Sequence, residues 1–128
     1  MNPDGVITKP SPYSVQETID RLQSFLQQHG ATIYARIDQQ AELQKAGLSI
    51  GPLEFIMFGN PKAGGPIMIE NPVAALDLPL KIIAWEDAGK KVFIAYNDAL
   101  YVEERYGLSH NENSPLNLEN LISIALKA

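Results

Sequence analysis

The residues best suited to bind a ligand lie in a glycine-rich loop that follows a run of apolar residues. This segment, FIMFGNPKAGGP, spans residues 55–66 and contains one charged side chain, Lys62. Glycines let successive backbone N–H groups converge on one point, and such an arrangement attracts anions. Lys62 would add positive charge, and a helix beginning near Pro66 would direct its N-terminus at the same anion. The segment therefore predicts a site for a carboxylate or phosphate group.

The same segment has a simpler interpretation. Asn-Pro and Gly-Gly pairs are common in turns, so the loop would then only join a strand to a helix. The GxxxxGK[ST] spacing of a phosphate-binding P-loop is absent. The sequence alone leaves two interpretations of this segment open, a turn with only a structural role and a loop that binds a ligand.

The ligand-binding interpretation adds residues from outside the loop. Phe58 and Tyr96 would supply apolar walls, while Lys62 and backbone amides would bind the polar end of the ligand. Asp38, at the end of a strand, would approach Lys62 or would instead cap the following helix. The predicted ligand-binding residues are Phe58, Gly59, Asn60, Lys62, Gly64, Gly65, Asp38 and Tyr96.

Other kinds of site find little support in the sequence. The chain has no cysteine, which excludes disulfides, thiolate ligands and cysteine nucleophiles. His29 and His110 have no spacing that links them as metal ligands, and no acidic cluster completes a set. The pairs Glu86-Asp87 and Glu103-Glu104 are typical of solvated surface. We therefore predict no metal, no cofactor and no catalytic residues.

Composition sets the class of protein. With 128 residues, 45% of them hydrophobic and 20% charged, the chain is expected to fold as one domain over residues 1–128. A net charge of −5 disfavours a nucleic-acid partner, because such binding depends on neutralising phosphates. The apolar runs are too short to span a bilayer, and the first residues lack the features of a signal peptide. We expect a cytoplasmic protein without a membrane partner.

The predicted elements alternate between strands and helices. Ser14 and Glu17 form a capping box, and apolar residues at helical spacing predict a helix over residues 15–29. Further helices are predicted at residues 39–46, 66–75, 99–106 and 116–126. Strands are predicted at residues 5–9, 32–37, 53–58, 80–85 and 92–96, the first stopped by Pro10 and the last two joined as a hairpin. We predict an α+β fold with a mixed or largely antiparallel sheet of about five strands, covered by helices on one face.

Several of these segments together resemble one family. They are SVQETIDRLQSFLQQHG, ARID, LEFIMFGNPKAGGPIM, ALDLPLKIIAWED and VFIAYND with RYGL, in this order along nearly the whole chain. The chain resembles the uncharacterised domain of unknown function 302 family, whose members are small α+β proteins that tend to be dimeric. The family has no assigned activity, so the resemblance implies a fold and not a chemistry. The chain departs from the family pattern at Gln39, where a histidine is common, and at Gly65, where a threonine is more usual.

Three functions follow from these observations. The sequence favours a domain that binds a small anionic or amphipathic ligand at the glycine-rich loop. The second is a homo-oligomeric interaction module without a ligand, expected as a homodimer, in which a half-exposed sheet face carrying aromatic residues pairs with another copy. The third is an enzyme in which Asp38 and Lys62 exchange protons, with pKa values shifted by burial.

Overall fold

A five-stranded sheet organises the residues that the structure describes. The computed structural model covers residues 2–127. The strands are β1 (Val6–Ser11), β2 (Thr32–Asp38), β3 (Leu53–Gly59), β4 (Leu80–Glu86) and β5 (Val92–Asn97). Every neighbouring pair of strands is antiparallel, and the order across the sheet is β1-β5-β4-β3-β2. The predicted α+β fold, with its β4–β5 hairpin, is confirmed.

The helices begin and end at residues whose side chains or backbone suit a helix end. Ser14 accepts the N–H of Glu17 at 3.1 Å and so caps α1, as its position predicts. Gly107 ends α4 with a φ of 62°, a conformation that glycine adopts without strain. The helices are α1 (Val15–Gln28), α2 (Gln39–Lys45), α3 (Pro61–Glu70), α4 (Ala99–Tyr106) and α5 (Glu119–Ala125), with a 3-10 helix at Pro72–Asp77.

One face of the sheet packs against α1 and α5 and forms the main core. Alternate residues of a strand point to the same face, and Ile56, Ile82 and Ile94 on this face are fully buried. Ile19 and Leu22 of α1 are equally inaccessible to solvent. The apolar stripe predicted from the helical spacing of α1 therefore packs on this face of the sheet.

The opposite face of the sheet is also apolar but is less deeply buried. Phe55, Ile83 and Ala95 lie side by side across the three central strands. The rings of Trp85 and Phe93 have their centroids 5.7 Å apart. Of these residues, Ile83, Trp85 and Phe93 remain half-buried. We call this surface the outer sheet face, defined by Phe55, Met57, Ile83, Trp85, Phe93 and Ala95.

Each edge strand contains a feature that is unusual in a regular strand, a proline in β1 and a register shift in β2. Pro10 does not end β1, as the sequence analysis predicted, but pairs with Phe93 within the β1–β5 ladder. That prediction was wrong because proline, which lacks an N–H, is tolerated on an edge strand that bonds on only one side. At the other edge, the register of β2 shifts between Ile33 and Ala35.

The glycine-rich segment forms the first turns of a helix. The sequence predicted a helix starting near Pro66, whereas α3 begins at Pro61. Asn60 supplies the cap, and proline is favoured at the first helical position because its missing N–H would have no partner there. Phe58 and Gly59 at the end of β3 therefore lead directly into a helix.

Candidate functional site

The backbone amides of the glycine-rich segment do not form a free anion site. The N–H of Lys62 donates to Asn60 Oδ1 at 2.9 Å. The N–H groups of Ala63 and Gly64 donate to the Asn60 carbonyl at 2.9 and 2.8 Å. The Lys62 side chain is exposed. The predicted amide cradle for an anion is wrong, because helix capping uses these donors.

Asp38 and Lys62 lie toward opposite ends of the β2–β3 ladder. Asp38 pairs with Glu54 at the start of β3, whereas Thr32 pairs with Gly59 at its end. Five residue steps along an antiparallel strand span roughly 17 Å. The proposed proton exchange between Asp38 and Lys62 is therefore contradicted by the topology. Asp38 Oδ1 accepts the Ala41 N–H at 3.0 Å, so its alternative role as a helix cap is confirmed.

We expect Asp38→Ala to lower the free energy of unfolding by about 1 kcal/mol, because it removes the cap of α2. Asp38→Asn keeps an oxygen in the same position and removes only the negative charge at the start of α2. It should therefore lower the free energy of unfolding by only about 0.3 kcal/mol. Urea denaturation of the three proteins measures both changes. Equal losses for the alanine and asparagine variants would contradict the capping role.

A cleft of about 290 Å³ opens beside the first turn of α3. We call it the α3 cleft. Four of the eight predicted ligand-binding residues line it, namely Phe58, Gly59, Asn60 and Gly64. The other lining residues come from α3, from the end of α1 and the loop after it, from the region around the start of β4, and from residues 115–121, which lead into α5. They are Leu26, His29, Ala31, Ala63, Leu78, Leu80, Pro115, Asn117, Leu118 and Leu121.

The walls of the α3 cleft are mainly apolar. Leu26, Phe58 and Leu118 belong to the buried core and present their remaining surface to the cleft. Small residues keep its volume open, since a Cβ on Gly64 would meet nothing nearer than Leu78 Cδ1 at 4.0 Å. His29 is held at the rim by stacking on Phe25, with ring centroids 4.1 Å apart. This cleft suits an apolar group better than an ion.

Two asparagines give the rim of the α3 cleft a definite polarity. Asn60 Oδ1 accepts the Lys62 N–H, and Asn117 Oδ1 accepts the Glu119 N–H at 3.2 Å. Because each side-chain oxygen is engaged, the amide NH₂ groups are left as the hydrogen-bonding ends that a ligand would meet. The rim therefore favours a ligand with an acceptor oxygen.

Four of the predicted residues, Asp38 among them, lie outside the α3 cleft. Lys62 and Gly65 are on α3 but do not line it. Tyr96 lines a second cavity, of about 390 Å³. Phe58 and Tyr96 therefore do not wall one pocket as predicted, because the ends of β3 and β5 are separated by β4 in the sheet.

A buried glutamate at this second cavity, paired with an exposed histidine, was not predicted from the sequence. Glu103, predicted to be solvated surface, is only 5% exposed. Its Oε1 lies 3.0 Å from His110 Nδ1, and its Oε2 accepts the Asn111 N–H at 3.2 Å. The hydrogen bond with Glu103 raises the pKa of His110. The burial of Glu103 could have been predicted from the helical spacing of Ala99, Val102, Glu103 and Tyr106. This spacing places Glu103 on the side of α4 that faces the protein interior.

Residues 7–125 match the family model described as Domain of unknown function DUF302. The chain belongs to the DUF302 family. The fold of this DUF302 domain is similar to the crystal structure of an uncharacterised conserved DUF302 protein from Bacillus stearothermophilus, with a TM-score of 0.75 and 21% sequence identity. That similarity covers 97% of each chain, so the shared fold extends over nearly all of both.

Two curated relatives are longer than this DUF302 chain. It is 38% identical over 104 residues to Fluoride-specific ion channel FluC 1 of Brucella suis, covering 81% of this chain and 41% of that protein. The identity and span are the same for FluC 1 of Brucella abortus, of which 38% is covered. The chain thus spans about two-fifths of the length of these relatives. Within residues 2–127, none of the helices has the length and apolar character needed to cross a membrane.

Proposed function

We propose that this DUF302 domain binds a small amphipathic ligand in the α3 cleft. The observation that carries the proposal is a cleft of about 290 Å³ with apolar walls, next to a helix whose glycine leaves it open. Ligand pockets are usually concave, mainly apolar and furnished with a few polar groups that fix orientation. The volume corresponds to about ten water molecules at roughly 30 Å³ each, so the ligand is small.

The chemistry of the cleft indicates how such a ligand would lie. Its apolar part would pack on Leu26, Phe58 and Leu80, where each buried methylene contributes about 0.8 kcal/mol. Its polar end would face the NH₂ groups of Asn60 and Asn117 and accept hydrogen bonds from them. A carboxylate or carbonyl attached to a short alkyl or aryl group meets both requirements.

We expect Gly64→Leu to abolish binding of octanoate or phenylacetate, while Gly65→Leu leaves it intact. The new side chain at position 64 would fill the α3 cleft, whereas a Cβ at position 65 has no described atom within 4 Å. Both variants replace a glycine of α3, so they share the expected gain in helix stability of about 0.8 kcal/mol. A thermal shift assay measures binding, since a ligand at about 100 times its Kd stabilises by roughly 2.7 kcal/mol.

Either of two results would contradict the proposal. The first is that the wild-type protein shows no thermal shift with either compound, and the second is that both leucine variants retain the full shift. The second result would place the bound molecule outside the α3 cleft.

The outer sheet face favours a homodimer as a second candidate function. Half-buried apolar side chains, including Ile83, Trp85 and Phe93, lie on neighbouring strands of this face. Two sheets can pack face to face at about 10 Å, so an identical face is a suitable partner. Sedimentation equilibrium over a range of concentrations tests this candidate, with Trp85→Glu expected to weaken association. A monomer at every concentration would exclude it.

A further inference from the structure

The second cavity contains a buried hydroxyl group that lacks a partner. This cavity lies between the ends of β1 and β5, the first half of α4 and the segment before α5, and its volume is about 390 Å³. Tyr96 is only 5% exposed, and its hydroxyl has no hydrogen-bond partner among residues 2–127. A buried polar group without a hydrogen-bond partner destabilises the fold. The fold thus retains a polar atom that a ligand would satisfy. We call this space the Glu103 cavity.

Most of the charged side chains around the Glu103 cavity are acidic, among walls that are mainly apolar. Four carboxylates line it, those of Asp98, Glu103, Glu112 and Glu119, together with one imidazole, His110. Charges of one sign along a cleft raise the local concentration of ligands of the opposite sign. This arrangement favours a positively charged ligand over an anion.

The residues that the structure describes favour an amine over a metal ion at this cavity. No group of three or more His, Cys, Asp or Glu side chains within residues 2–127 is arranged to hold a metal ion. By contrast, an ammonium group already lies at the edge of the cavity, because Lys9 Nζ is 3.3 Å from Glu119 Oε1. Burial raises the pKa of Tyr96, and the Lys9 ammonium partly offsets that increase. The site thus suits an amine.

We propose that the Glu103 cavity binds a small primary amine with an apolar body. The ammonium group would lie among the carboxylates and donate a hydrogen bond to the Tyr96 hydroxyl oxygen. The apolar body would pack on Ile7, Leu116 and Leu118, which line the same space. Glu103 is the central carboxylate, because its burial and its bonds to His110 and Asn111 hold it in one position.

This second site is distinct from the α3 cleft in its chemistry. The two spaces share only Asn117 and Leu118 as a common wall. The α3 cleft offers N–H donors at an apolar surface, whereas the Glu103 cavity offers carboxylates. Either site therefore remains testable if the other binds nothing.

Butylammonium and tyramine are suitable probes, titrated against the full chain by calorimetry. We expect Glu103→Gln to weaken binding at least tenfold, because it removes a hydrogen bond to a charged group. Glu104→Gln is the matched control, since the neighbouring carboxylate is exposed and does not line the cavity. Equal weakening by the two variants would show attraction to the net charge alone and would overturn the proposal.

Two more variants test the site without removing a buried charge. Tyr96→Phe deletes only the unpaired hydroxyl, so it should keep or raise the melting temperature while weakening binding several-fold. Lys9→Met removes the competing ammonium and should strengthen binding of the same amines. Unchanged affinity in Tyr96→Phe, or no binding of either probe to the wild type, would overturn the proposal.

Discussion

Ile82→Ala is expected to lower the free energy of unfolding by about 3–4 kcal/mol, the largest effect that we predict for this chain. Ile82 is fully buried in β4, between β3 and β5, and faces the core formed with α1. Truncation would remove apolar contacts and leave a cavity that a central strand cannot collapse to fill. Urea denaturation monitored by circular dichroism measures the change.

Ile83→Ala is the matched control, because it changes the same residue type one position along the chain. Ile83 points to the outer sheet face and is half-buried, so the expected loss in the monomer is about 1 kcal/mol. Equal losses for the two variants at low concentration would contradict the assignment of the faces. A loss for Ile83→Ala that grows with protein concentration would support a second copy on the outer sheet face.

The second large effect concerns an arginine that joins α1 to the sheet. Arg36→Ala is expected to destabilise the fold by about 2–3 kcal/mol. Arg36 contacts Asp20 at 2.6 Å on α1 and Glu54 at 3.0 Å on β3. The Glu54 side chain is only 12% exposed, so the variant would leave a largely buried carboxylate without its counter-charge. The expected loss is smaller than for a fully buried ion pair because the Arg36 side chain is 27% exposed.

Two controls separate this effect from a general effect of charge. Lys45→Ala breaks a pair with Glu42 in which both side chains are more than half exposed, and should cost less than about 0.5 kcal/mol. The double variant Arg36→Ala with Glu54→Gln should recover about half of the loss, because the uncompensated charge is gone. If Lys45→Ala and Arg36→Ala were equally destabilising, the burial of Glu54 would not explain the loss of stability in Arg36→Ala.

Most of the fold was predictable because its signals are local. The capping serine and apolar spacing of α1 predicted that helix, and the short turn between β4 and β5 predicted the hairpin. The start of α3 was misjudged because glycine and proline lower helix propensity on average. The correct signal was the order Asn60-Pro61, a cap followed by a residue favoured at the first helical position.

The candidate sites were less predictable because they depend on strand order. Antiparallel pairing brings the end of β2 to the start of β3, which separates Asp38 from Lys62. The α3 cleft also needs residues near position 117, and nothing in the local sequence links them to the glycine-rich segment. Glu103 was misjudged because the sequence analysis considered its charge and not its place on the inner stripe of α4.

The irregular edges of the sheet limit how copies of this chain can assemble. Pro10 removes a backbone donor from β1, and the register shift in β2 disrupts the regular spacing of its outward groups. Proteins use both features to prevent the edge strands of separate molecules from pairing into one continuous sheet. These features disfavour pairing of separate copies through their edges and leave the sheet and helix surfaces as the better places for ordered self-association.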